Sequence, residues 1–112
     1  MRGYGQPQVT WRGDPRGLEL LATLSAQPTL AVVGARLADS TGLAWTRDIV
    51  EVMYERRVTL ISGDARGVDS RAHQTLCERG GESLAVLGCG LDHLNRRHRA
   101  LAELGVGLIT PF

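Results

Sequence analysis

The sequence predicts an α/β fold of Rossmann type, an open parallel sheet of about four strands with helices on both faces. Three observations lead there. Short apolar runs recur as TLAVVG (Thr29 to Gly34), VTLISG (Val58 to Gly63), SLAVLG (Ser83 to Gly88) and VGLIT (Val106 to Thr110). None alternates apolar with polar residues, the pattern of parallel strands covered on both faces. The intervals between them carry helical periodicity and are long enough for the crossovers that parallel neighbours require.

The elements follow in chain order. Residues 1–10 open with the glycine-rich, aperiodic MRGYGQP and are expected to form a flexible lead-in; residues 11–112 are expected to form a single domain. Gln8 to Trp11 could add a short extended piece. After RGDP, with Pro15 suited to a first helical turn, Leu18, Leu21 and Leu24 recur at three-residue spacing and predict an amphipathic helix lying on the sheet. The first crossover, DSTGLAWTRDIVEVMYERR, has Ser40 or Thr41 as its cap and Trp45, Ile49, Val52 and Met53 along one face, which reads as the core face. The second, VDSRAHQTLCERGG, places Ala72 and Leu76 inward and stops at Gly80 and Gly81. The third, NRRHRALAEL, is the shortest.

Composition narrows the function. The formal net charge is +1, so anion binding must come from the placement of charges rather than from a global field. All 13 basic residues are arginine, which excludes a Schiff-base lysine and a P-loop lysine and leaves bidentate phosphate recognition by guanidinium. Cys77 and Cys89 form no CxxC pair and read as small core residues of a reducing compartment, not as a metal site. No apolar run approaches the roughly 20 residues of a membrane span, so a cytoplasmic protein is expected.

In open parallel sheets, ligands bind beyond the carboxyl ends of the strands, at loops that lead into helix N-termini. Each such loop here carries glycine and arginine: GARLADSTG with Gly34 and Arg36, GDARG with Gly63, Arg66 and Gly67, and GCGLDHLNRRHR with Gly88, Gly90, Arg96, Arg97 and Arg99. Glycine lets the backbone approach a bulky phosphate and arginine supplies a fork of donors. The candidate phosphate-binding residues are therefore Gly34, Arg36, Gly63, Arg66, Gly67, Arg96 and Arg97. The plain alternative is that these glycines only make the turns such a sheet needs. Asp69 and His73, four apart, could act as an acid/base or metal-ligand pair, or could serve the helix N-terminus and a local hydrogen bond. Asp64 is expected to face away from a bound anion or to pair with Arg66.

The ordered blocks WRGD, LAVVGARLADSTG, LISGDARGVDSRAH, LAVLGCGLD and LAELGVGLIT resemble the DNA-processing (DprA/Smf) family over Trp11 to Phe112. The resemblance implies binding of single-stranded DNA, dimerisation, hand-over of the strand to a RecA-type recombinase in natural transformation, and no enzymatic activity, catalytic residue, cofactor or metal. It lays Arg36 on the family's Gly-Ser-Arg motif, and Ser62, Gly63, Ala65, Gly67, Asp69 and His73 on the second motif. Ala35 replaces the family's serine, and Leu94 and Asn95 replace its tyrosine and proline. Family members continue past the point of Phe112 with an Arg-Asn-Arg motif, so the resemblance implies half of the usual domain and a minimal or divergent relative. An uncovered sheet edge would favour a homodimer. The alternatives are a nucleotide-binding sensor and a nucleotide phosphoribohydrolase-like enzyme, whose PGGxGTxxE motif is missing from this sequence.

Overall fold

A computed structural model describes residues 9–112. Most of the expected lead-in, residues 1–8, lies outside the described residues. The chain forms β1 (Arg12–Gly13), α1 (Pro15–Thr23), β2 (Thr29–Ala31), α2 (Ser40–Glu55), β3 (Thr59–Ser62), α3 (Val68–Glu78), β4 (Ser83–Val86), α4 (Arg96–Glu103) and β5 (Gly107–Thr110). The five strands lie in the order β1-β5-β4-β3-β2. Strands β2 to β5 are parallel, as the solid apolar runs predict. The fifth strand is an addition to the expected four: β1 pairs antiparallel with β5, and it falls on Arg12–Gly13 rather than on Val9 to Trp11, the described part of the expected extended piece. Glycine permits that close approach, since a Cβ on Gly13 would sit 2.5 Å from the carbonyl oxygen of Leu108.

Because β2 to β5 are neighbours in both sequence and space, right-handed crossovers all fall on one side of the sheet. Val50 and Met53 of α2 accordingly pack with Leu60 of β3 and Ala72 and Leu76 of α3. On the same side Leu101 of α4 packs with Ala85, Val106 and Leu108. The other face is covered by α1, whose Leu20 meets Leu84 and Ile109. Helices thus occupy both faces, unequally.

Two helical faces differ from the expected ones. In α1, Leu18 is 44% exposed and the buried set is Gly17 and Leu20, with Leu21 and Leu24 packed beside them. Gly17 selects that face, because a Cβ there would lie 2.1 Å from the carbonyl oxygen of Leu108 and hold the helix off β5. Asp14 caps the helix and ties it to the sheet, its Oδ1 accepting from the amides of Gly17 (2.7 Å) and Leu108 (3.0 Å).

In α2 the cap is Asp39, which accepts from the Gly42 amide at 2.8 Å, rather than Ser40 or Thr41. Its buried face is Thr46, Val50 and Met53, while Trp45 is 68% exposed and Ile49 and Val52 are half exposed. At about 100° per residue, Glu51 and Tyr54 lie on the opposite flank from Trp45 and Ile49. Arg79, just beyond the end of α3, fixes that flank, pairing with Glu51 at 2.9 Å and stacking over the Tyr54 ring. Trp45, Ile49 and Val52 therefore point away from α3, past the outer strand β2. Residues Thr29, Leu30 and Ala31 of that strand are all exposed.

The glycines that stop α3 act as expected: Gly80 has φ +88° and the Gly81 amide returns to the Leu76 carbonyl at 2.9 Å. Among the described residues no helix is long and apolar enough to cross a membrane.

Candidate nucleic-acid interface

Parallel winding brings the loops after β2, β3 and β4 to one edge of the sheet, and the glycines lock the first two together. Gly67, at the N-terminus of α3, has φ +77°, and a Cβ on it would fall 2.2 Å from the Ala35 carbonyl oxygen and 2.5 Å from that of Arg36. The next amide, Val68, donates to the Ala35 carbonyl at 3.2 Å. Gly34 fits against the Val68 side chain, and its amide donates to Asp69 Oδ1 at 3.3 Å. A Cβ on Gly63 would meet the other Asp69 oxygen at 2.9 Å. Gly34, Gly63 and Gly67 thus surround the first turn of α3. Their neighbourhood uses its amides internally: the donors of Gly34 and Val68 are engaged by protein acceptors, so an incoming anion meets side-chain donors first.

Ser62 is buried, and its hydroxyl donates to the Val32 carbonyl, joining β2 to β3. Asp69 and His73 take the local roles rather than facing each other as an acid/base pair. His73 is fully buried between β3 and β4: its Nε2 donates to the Gly63 carbonyl at 2.8 Å and its Nδ1 contacts the Ser83 hydroxyl. Burial pushes the His73 pKa below its ordinary value, against the opposing pull of the Gly63 carbonyl and of Asp69 and Asp64. Burial likewise raises the Cys77 thiol to about 11, so this cysteine behaves as an apolar core residue. Cys77 and Cys89 are both free.

The third loop is attached to the second through Asp64. Of the two expectations for Asp64, pairing with Arg66 is corrected: its carboxylate binds His98 Nε2 at 2.5 Å instead, and its carbonyl accepts from Arg97 Nε at 2.9 Å. Asn95 caps α4 by accepting from the His98 amide at 3.0 Å, while His98 Nδ1 accepts from the Asn95 amide at 3.1 Å. Sequence reasoning missed His98 and Asn95, although their three-residue spacing before an apolar run is that of a capping box.

Charge at this edge is lopsided. Asp39, Asp64 and Asp69 each face a protein donor, and Asp92 lies 3.6 Å from His93. Arg36, Arg66 and Arg96 are exposed, and among the described residues their guanidiniums make no hydrogen bond or ion pair. Arg97 is held by Nε alone, which leaves its terminal nitrogens unbonded among the described residues, and Arg99 donates to the Leu94 carbonyl at 3.1 Å. Two cavities among the described residues lie elsewhere. One, of about 640 Å³, opens at the amino ends of the strands beside Gln27, Tyr54 and Glu82; the other, of about 230 Å³, lies between α2 and α3. The carboxyl edge is an open, arginine-rich surface.

Comparison with known proteins places this geometry in context. A family model described as DNA recombination-mediator protein A matches residues 19–105. Protein Smf of Escherichia coli is 43% identical over 88 residues, which cover 74% of this chain and 24% of that protein. The chain thus spans about a quarter of that relative's length. The X-ray structure of DNA processing protein A from Streptococcus pneumoniae superposes with a TM-score of 0.70 at 26% identity, over 80% of this chain and 33% of that one. The Helicobacter pylori protein, whose structure is described for its single-stranded DNA binding mode, matches with a TM-score of 0.67 over 91% of this chain and 45% of its own; at 19% identity it speaks to the fold alone.

Proposed function

Since the chain belongs to the DNA recombination-mediator protein A family, which includes DprA and Smf, we propose that it binds single-stranded DNA along the carboxyl edge of its sheet. One observation carries the reading: at that edge Asp39, Asp64 and Asp69 accept from protein donors, whereas the guanidiniums of Arg36, Arg66 and Arg96 and the terminal nitrogens of Arg97 have no partner among the described residues. Unmatched guanidiniums on an open surface suit the repeating phosphates of a strand that runs on at both ends. A free nucleotide is better served by an enclosed, mostly apolar pocket. Backbone contacts of this kind fix a strand without reading its sequence.

Fluorescence anisotropy with labelled oligonucleotides of different sequence tests the proposal. Four phosphate contacts give a slope of log K against log salt of about −3, since each contributes about 0.7 on a single strand. Absence of binding at low salt, or an affinity indifferent to salt, would overturn it. The family also supports the rest of the reading, a non-enzymatic cytoplasmic protein, acting without cofactor, that passes its strand to a RecA-type recombinase. Its description as a recombination mediator supports that partner, and a pull-down with purified recombinase in the presence and absence of DNA checks it. The open β2 edge supports a homodimer, to be checked by analytical ultracentrifugation.

A further inference from the structure

We infer that His98 is a positioning residue of the interface, clamping α4 onto the β3 loop through Asp64 so that Arg97 is presented to a phosphate; the inference rests on the DNA-binding reading above. His98 has a side chain only 3% exposed, yet it stands in a run of arginines on a helix N-terminus, a place where burial needs a reason. The reason lies in its two ring nitrogens. Because Nδ1 accepts from the Asn95 amide, the proton resides on Nε2 and is donated to the Asp64 carboxylate. One residue earlier, Arg97 Nε donates to the carbonyl of the same aspartate. Asp64 therefore receives two consecutive side chains of α4, by its carboxylate and by its main chain.

This arrangement has two effects on an anion. Arg97 is gripped at Nε, which fixes the plane of its guanidinium and leaves the two terminal nitrogens available; a fork held in advance loses less conformational entropy when it binds. Meanwhile the one carboxylate of the GDARG loop, 26% exposed, is turned to an imidazole donor rather than toward the strand. Without His98, Arg97 would regain its rotamers and Asp64 would present a free charge.

Asp64→Ala separates this account from simple electrostatics. Removing an acid beside an anion site should tighten binding if only charge matters. If the clamp positions Arg97, Asp64→Ala weakens binding to oligothymidylate and lowers the salt slope by about 0.7, the share of one phosphate contact. His98→Ala should do the same, and the His98→Ala/Arg97→Ala pair should lose no more than Arg97→Ala alone. His98→Gln, whose amide nitrogen can still donate to Asp64, should recover most of the slope. Should His98→Ala fail to fold by circular dichroism, Asp64→Ala and His98→Gln still decide. Tighter binding by Asp64→Ala, or losses in the double variant that add, would overturn the inference. If instead Arg97→Ala itself leaves the slope of the parent protein unchanged, the binding reading fails at this residue and takes the inference with it.

Discussion

The carboxylate of Asp69 accepts the amide of Gly34 at 3.3 Å across 35 residues of sequence, and in doing so joins the end of β2 to the first turn of α3. Asp69 is 5% exposed, so removing its carboxylate breaks a part-buried hydrogen bond between the two loops and leaves a gap beside the first turn of α3. Asp69→Ala should cost about 1–3 kcal/mol, a fall in Tm of roughly 4–8 °C per kcal/mol. Asp69→Asn, which keeps an acceptor, should lose clearly less. Equal losses in thermal melts would show that charge, not the hydrogen bond, is what matters there.

Two glycines with similar positive φ give a controlled comparison. Gly80 has φ +88° with nothing within 4 Å of a built Cβ, so Gly80→Ala bears only left-handed backbone strain, about 1–2 kcal/mol. Gly67, at φ +77°, adds a collision with two main-chain oxygens, and its alanine variant should lose on the order of 4 kcal/mol or more. Urea midpoints of the two variants check the order; a Gly67→Ala protein as stable as Gly80→Ala would mean that the two loops are not interlocked.

Stability should depend on pH through His73. Its folded pKa lies below the 6.5 of an ordinary histidine because burial opposes the charge. Below pH 6.5 the unfolded chain takes up a proton that the folded chain refuses, so the unfolded state binds more protons. The contribution is therefore complete above 6.5 and is lost as pH falls from there toward the depressed folded value. Urea unfolding at a series of pH values should show this decline, and His73→Gln should flatten it over the same window.

The exposed flank of α2 makes a contrasting pair. Trp45→Ala should change stability by no more than about 0.5 kcal/mol, whereas Met53→Ala, from the core of the same helix, should cost about 2–5 kcal/mol. A large loss from Trp45→Ala would mean that its side chain is covered in solution, and a shift of the protein's oligomeric state with the same variant would identify a second copy as the cover.

Parallel strands, crossovers and the gathering of glycine and arginine loops at the carboxyl edge were legible because they depend on patterns the chain repeats: solid apolar runs, glycine after each, arginine beyond. The inward face of α2 was not. Trp45, Ile49 and Val52 form the more apolar flank, but helix orientation is set by where α3 lies, and the contacts of Arg79 with Glu51 and Tyr54 are invisible to a helical wheel. Leu18 misled for a similar reason: the smallness of Gly17, not the largest apolar residues, chose the contact face of α1. At the site, residue types pointed to arginine and glycine but not to what their backbones and neighbours do. That the Gly34 amide is engaged by Asp69, and that Asp64 meets His98 rather than Arg66, follow from separations of 35 and 34 residues that spacing along the chain does not encode.

The β2 end of the sheet is open to growth. On one side the antiparallel β1 follows β5, while on the other the outward amides and carbonyls of Thr29 and Ala31 stand open, since alternate residues of a parallel ladder face away from the neighbour already paired. A newcomer strand settling there would arrive alongside the turn that bears Gly34 and Arg36. Enlarging the architecture and walling the arginine-rich carboxyl edge would then be one and the same event.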